Sequence, residues 1–131
     1  MTLQSRAHIL VVDDNPSLAR ATALILEHKG YTVTTAQNGL EAVEKVRQQT
    51  FESVLMDVKM PHIDGVEAFR RIKRIKPETN VVIVTAYVVD DLIQQALNEG
   101  ACGLLHKPID IERLLGMLDQ IVTHSDNTGE E

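Results

Sequence analysis

The chain has 131 residues, 44% of them apolar and 24% charged, with a formal charge of -6 and a single cysteine. Those values suit one globular domain with a single core and exclude a disordered chain. The acidic balance argues against a nucleic-acid surface on this domain. No apolar run approaches the roughly 20 residues of a membrane helix, and Met1 to Arg6 lack the apolar stretch of a signal peptide. Cys102 has no partner for an internal disulfide, so the setting is read as reducing and cytoplasmic, with no membrane contact.

His8-Ile9-Leu10-Val11-Val12 is a compact apolar run that ends on Asp13-Asp14, the pattern of a strand buried on both faces. Asn15-Pro16 reads as an N-cap followed by proline at the first helical position. Leu18, Thr22, Ile25 and Leu26 follow at helical spacing, and Gly30 supplies the stop. Tyr31 to Ala36 alternates Val33 with Thr32 and Thr34, as an edge strand does. Asn38 can cap a second helix, with Glu41 as its capping-box partner and Ala42, Val43 and Val46 facing inward.

Ser53 to Asp57 is a third strand, apolar over Val54-Leu55-Met56 and closed by a carboxylate. The loop Val58-Lys59-Met60-Pro61 leads to Asp64-Gly65 and a third helix. That helix turns Val66, Phe69 and Ile72 inward and Arg70, Arg71, Lys73 and Arg74 largely outward. Val81 to Thr85 is the fourth strand. Asp90-Asp91 opens a fourth helix, where acids suit the helix dipole, with Leu92, Ile93, Ala96 and Leu97 apolar; Gly100 ends it. Gly103 to Lys107 is the fifth strand, stopped by Pro108. Asp110 caps the last helix, whose stripe is Ile111, Leu114, Leu115, Leu118 and Val122. Residues 1–124 form one domain on this reading, and the polar tail 125–131 is expected to fray. Strict alternation of strand and helix predicts an α/β fold: a doubly wound, five-stranded parallel sheet with five helices on its two faces.

All C-terminal tips of a parallel sheet share one edge, where open α/β sheets bind ligands. Here the central strands are apolar until they end, and the tips carry Asp13, Asp14, Asp57, Thr85 and Lys107. Any one of these alone reads equally well as an ordinary turn or surface residue; all of them at strand tips do not. Three crowded carboxylates suit a hard divalent cation such as Mg²⁺. A carboxylate is also a nucleophile toward a phosphoryl donor, and Lys107 and Thr85 can supply a charge and a hydroxyl to phosphoryl oxygens. The five histidines have no metal-ligand spacing.

From about His8 to Val122 the chain resembles the receiver (CheY-like) domain of two-component response regulators. The resemblance is carried by Asp13-Asp14, by Asp57 with Met60-Pro61 and Asp64-Gly65, by Thr85-Ala86 and by Lys107-Pro108. It implies the strand order 2-1-3-4-5 and a phosphorylation-activated signalling switch. Asp57 would accept a phosphoryl group from a phosphohistidine on a sensor histidine kinase or phosphotransfer protein. Asp14 would bind Mg²⁺ directly, Asp13 mostly through water, and Asp57 and the backbone carbonyl of Lys59 would complete the protein ligands. Thr85 would contact the phosphoryl group and reorient, and Ala86 would leave the donor a path. Lys107 would pair with Asp57 or its phosphate, and the Lys107-Pro108 bond is expected to be cis. Lys59 and Tyr87 would tune the rate of dephosphorylation, with bulky Tyr87 slowing it.

One departure stands out. Where the family commonly has an aromatic three residues before the strand-five lysine, this chain has Leu104. The output is therefore expected to rely more on Tyr87-Val88-Val89 and the fourth helix. The resemblance further implies that the fourth helix, fifth strand and fifth helix carry the readout, to an output domain, an effector or a second copy. Two other readings are weaker. A haloacid-dehalogenase-type phosphatase would need a second acid where Lys59 stands. A flavodoxin-like flavin binder would need a Ser/Thr/Gly-rich loop where Asp13-Asp14-Asn15-Pro16 stands. The domain is expected to be no enzyme with an external product.

Overall fold

The computed structural model describes residues 7–60, 62–86 and 90–121, and the backbone of residues 122–130. The elements alternate throughout: β1 (His8–Val12), α1 (Pro16–His28), β2 (Thr32–Ala36), α2 (Gly39–Gln48), β3 (Ser53–Asp57), α3 (Gly65–Ile75), β4 (Asn80–Thr85), α4 (Asp91–Asn98), β5 (Gly103–His106) and α5 (Ile111–Glu130). The strands form one sheet in the order β2-β1-β3-β4-β5. All four pairings are parallel, so every tip lies on one edge. The expected fold and strand order are both found.

Side-chain alternation along the strands splits the core in two. Leu10, Val12, Val54, Met56, Val81 and Ile83 face α2, α3 and α4. Ile9, Val11, Leu55, Val82, Val84 and Leu105 face α1 and α5. Apolar residues point both ways from β1, β3 and β4, which is why these strands read as unbroken apolar runs. The edge strand β2 is more exposed, in keeping with its threonines.

The helix starts are set by short polar side chains. Asn15 Oδ1 accepts the N–H of Ser17 and Leu18, and Asp64 and Asp90 each accept the N–H three residues on. Asn38 Oδ1 accepts the N–H of Glu41 at 2.8 Å. The reciprocal bond runs one residue earlier than a capping box predicts: Glu41 accepts the N–H of Gln37 at 2.7 Å, not that of Asn38. Gly30 and Gly100 end α1 and α4 with φ of 99° and 113°, a conformation that disfavours a side chain.

Several expected details differ. α1 turns Ala19, Ala23 and Leu26 inward, while Leu18 and Ile25 are 48% and 37% exposed. The small alanines let the helix lie close to the sheet, which places the larger side chains on its outer side. On α5 the buried stripe is Leu114, Leu118 and Ile121; Ile111 and Leu115 are half-buried, and the side chain of Val122 lies outside the described residues. β5 ends at His106, one residue early, because the chain turns at Lys107 into Pro108. The segment expected to fray continues α5 to Glu130. Arg70 is not simply solvated: its guanidinium makes two bonds to Glu99 and one to Gln95, tying α3 to α4.

Candidate phosphoryl and metal site

β1 and β3 are neighbours, so their tips bring Asp13, Asp14 and Asp57 together. One carboxylate oxygen from each lies within 4.8 Å of the others. Asp13 and Asp57 are buried and Asp14 is exposed. The polypeptide holds Asp13 closely. Its Oδ1 accepts the N–H of Asn15 at 2.9 Å, and its Oδ2 accepts from Lys107 Nζ at 3.0 Å. Because Asn15 also caps α1, the start of that helix and the position of Asp13 are fixed by the same residue.

Lys107 reaches the site from beyond β5. Its Nζ donates to Asp57 Oδ2 at 3.2 Å as well as to Asp13. The pairing with Asp57 was expected; the shorter one with Asp13 was not. The Lys107 N–H donates to the Thr85 carbonyl at 2.8 Å, which ties the start of this loop to the tip of β4. The Lys107-Pro108 bond is cis, as expected. Thr85 is buried at that tip and Ala86 beside it is exposed. Leu104 is half-buried on the α4 side of the sheet, against the core shared by α2, α3 and α4. Lys59 is exposed just past β3. Tyr87, Val88 and Val89 lie outside the described residues, as does Pro61.

The charges are unevenly matched. Burial pushes the Asp57 carboxyl above the ordinary carboxylate range; the Lys107 ammonium pulls it back, while Asp13 and Asp14 push it up again. Burial also disfavours the Lys107 ammonium, but the hydrogen bond to Asp13 and the charges of Asp57 and Asp13 outweigh it and hold its pKa above that of a free lysine. The Lys107 ammonium thus contacts two of the three carboxylates, Asp13 and Asp57. An all-oxygen donor set with excess negative charge is the chemistry a hard divalent cation prefers.

Gly65 is the residue whose role the sequence left unexplained. Its N–H donates to the Val58 carbonyl at 2.8 Å. A Cβ there would lie 2.9 Å from the Asp57 carbonyl carbon and closer still to its oxygen. In sequence the Asp64-Gly65 pair marks a helix start and part of the family resemblance, but not this close approach to the Asp57 backbone.

The model of the response regulator receiver domain family matches residues 9–119. The chain belongs to this family. Among characterised proteins it is similar to the transcriptional regulatory protein ZraR of Klebsiella oxytoca, 41% identical over 117 residues. That match covers 89% of this chain and 26% of the relative, so the chain spans about a quarter of that protein. Among solved structures, a CheY-like receiver domain protein of Methanospirillum hungatei superposes with a TM-score of 0.89 at 28% identity, covering 95% and 99% of the two chains. A Burkholderia pseudomallei response regulator, solved with a phosphorylated aspartic acid, a calcium ion and citrate, gives 0.80 at 27% identity, covering 94% and 72%.

The protein is therefore a receiver domain of the two-component signalling type. Its acidic cluster has the donor chemistry to hold a divalent cation. Among the described residues of this receiver, no helix is long and apolar enough to cross a membrane.

Proposed function

We propose that Asp57 is the phosphoacceptor of this receiver and that phosphorylation shifts the domain to an active form. The observation that carries the reading is the position of Asp57: a buried carboxylate at the tip of a central strand, 3.2 Å from the Lys107 ammonium and grouped with two further carboxylates. A carboxylate oxygen of Asp57 attacks the phosphorus of a phosphohistidine on a sensor kinase or phosphotransfer protein. The phosphorus–nitrogen bond breaks, and the imidazole leaves with the bonding electron pair. Burial raises the Asp57 pKa, and the Lys107 ammonium pulls it back toward the ionised form that attacks.

Lys107 then serves the phosphoryl oxygens by charge and position. Asp14, Asp57 and the Lys59 carbonyl would hold Mg²⁺ directly. Asp13, which already accepts from Asn15 and Lys107, would act mostly through water. When bound, the cation would offset the negative charge that the phosphoryl group adds to the cluster. Thr85 would turn from its buried position toward the phosphoryl group, with Ala86 leaving the approach clear. Lys59 and Tyr87 would set how readily water reaches the acyl phosphate. The similar response regulator with a phosphorylated aspartic acid and a calcium ion supports an aspartate as phosphoacceptor and a divalent ion in such a domain.

Readout would pass through α4, β5 and α5 as a population shift, to an output domain, an effector or a second copy. Leu104 would respond by repacking against the α4 side of the core, since it lacks the polar, swinging ring of an aromatic. Residues 1–124 would act as the switching unit in the cytoplasm, converting no external substrate. The test is intact mass after incubation with acetyl phosphate, with and without Mg²⁺, for wild type and Asp57→Asn. A Mg²⁺-dependent phosphoryl adduct confined to the wild type is expected. An equal adduct on Asp57→Asn would move the phosphoacceptor elsewhere, and none on either protein would remove the reading.

A further inference from the structure

The N-terminus of α3 meets the tip of β3 at Gly65, and two contacts are made there. The Gly65 N–H donates to the Val58 carbonyl at 2.8 Å. Its bare Cα lies against the Asp57 backbone, where a Cβ would fall 2.9 Å from both the Asp57 carbonyl carbon and Val58 Cα. These are main-chain atoms, which cannot swing aside as a flexible side chain can. Conformation is not the reason for glycine here. The glycines at positive φ are Gly30 and Gly100, and Gly65 is the first residue of α3, where alanine would favour the helix. What Gly65 supplies is space.

The two residues it touches carry the site. Asp57 bears the carboxylate, and Val58 immediately precedes Lys59. We propose that Gly65 is a positioning residue for the phosphoryl and metal site: by clamping the Asp57 and Val58 main chain, it fixes the direction in which the chain leaves β3. That direction aims the Asp57 carboxylate at Lys107 and sets the course of the chain into Lys59. A side chain at residue 65 would have to push β3 and α3 apart, and the displacement would fall on these atoms first. The inference rests on the site assignment above, but it concerns a residue that touches neither the phosphoryl group nor the cation.

Gly65→Ala tests it, with Gly103→Ala as the control. At Gly103 a Cβ would meet only Met117 Cε, at 2.5 Å, the end of a flexible side chain at the far end of β5. The affinity for Mg²⁺ alone is read by titration calorimetry, and folding by circular dichroism and thermal melting. Gly65→Ala is expected to stay folded and to lose about 10- to 100-fold in Mg²⁺ affinity, the usual cost of removing a group that orients metal ligands. Its phosphorylation rate should recover in part at saturating Mg²⁺. Gly103→Ala should change the melting temperature without changing Mg²⁺ affinity. A metal-free crystal structure of Gly65→Ala gives a readout independent of both cation and phosphorylation: the separation of Asp57 Oδ2 from Lys107 Nζ should exceed its present 3.2 Å.

Unchanged Mg²⁺ affinity together with an unchanged Asp57–Lys107 separation would overturn the proposal. So would a loss of affinity equal to that of Gly103→Ala, which would reduce the effect to general loosening. If wild type took up no phosphoryl group while Gly65→Ala still altered the Asp57–Lys107 geometry, the phosphoacceptor reading would fail and the positioning role would stand.

Discussion

The two ends of the sheet are both polar, yet they are built on opposite plans. At the N-terminal end, polar groups are neutralised locally. The His8 N–H donates to Glu52 at 2.9 Å, and the His8 ring shares a hydrogen bond with Thr34 at 2.7 Å. Asn80 donates to the Glu52 carbonyl at 3.1 Å, while Phe51 meets the His8 ring edge-on. Burial outweighs the Glu52 charge and lowers the His8 pKa, which favours the neutral ring. At the C-terminal end, three carboxylates stand together with the Lys107 ammonium, and Asp57 is driven up in pKa by burial and by the charges of Asp13 and Asp14, against the pull of Lys107. The first end is a rim of locally paired polar groups. The second keeps excess charge of one sign, which costs stability in the resting protein and leaves room for a cation and a phosphoryl group. Function is read from the end that the fold leaves electrostatically unbalanced.

Breaking the balance at the charged end should have the largest effect. Lys107→Ala removes the cation that contacts Asp13 and Asp57 and leaves two buried carboxylates facing each other. We expect a loss of about 2 kcal/mol at neutral pH in metal-free buffer, below the value for a fully buried pair because the lysine is partly exposed. Urea unfolding at several pH values measures it. The deficit should narrow on acidification, as the carboxylates gain protons; a deficit independent of pH would mean that packing, not charge, was lost.

A smaller change of opposite sign is expected from Asp57→Asn. The folded-state pKa of Asp57 is raised, so the folded protein binds this proton more readily than the unfolded chain does. Above that pKa the ionised Asp57 therefore lowers stability, and the penalty fades as pH falls through it toward the ordinary value of 3.8. In metal-free buffer at neutral pH, Asp57→Asn should be more stable than wild type. Mg²⁺ should reverse the order by stabilising wild type more. Thermal melts with and without EDTA check this; a less stable variant without metal would contradict the charge-repulsion account.

The rim sharpens the comparison with the smallest effect. Ser53 is fully buried at the start of β3, and among the described residues its hydroxyl has no hydrogen-bond partner. A buried donor left unmatched lowers stability, so Ser53→Ala should be neutral or gain up to about 1 kcal/mol. Denaturant midpoints at unchanged slope measure it. A clear loss would mean that the hydroxyl has a partner in solution, and that the rim is more fully satisfied than the static contacts indicate.

Much of this was legible in the residues. Runs such as Leu10-Val11-Val12 and Val81 to Val84 announce strands buried on both faces, because a sheet covered on both sides tolerates no polar alternation. The placement of Asp13, Asp57, Thr85 and Lys107 after those runs marks a common edge. α1 was less legible. Its spacing suggested Leu18 and Ile25 as inward residues, whereas Ala19 and Ala23 lie against the sheet. Hydrophobicity favours leucine, but a close helix–sheet approach favours alanine, and only the docking decides which applies. The pairing of Lys107 with Asp13 was likewise hidden, since a separation of 94 residues leaves no local pattern.

The sequence by itself determined the alternating α/β order, the apolar strands, the polar residues at their tips and the helix caps. Each of these is set by neighbours a few residues apart. Tertiary structure alone decided how the tips share charge, which face of α1 is buried, and why residue 65 has no side chain. Those depend on distances between main-chain and charged atoms brought together by strand pairing and helix docking, and no periodicity in the chain encodes them.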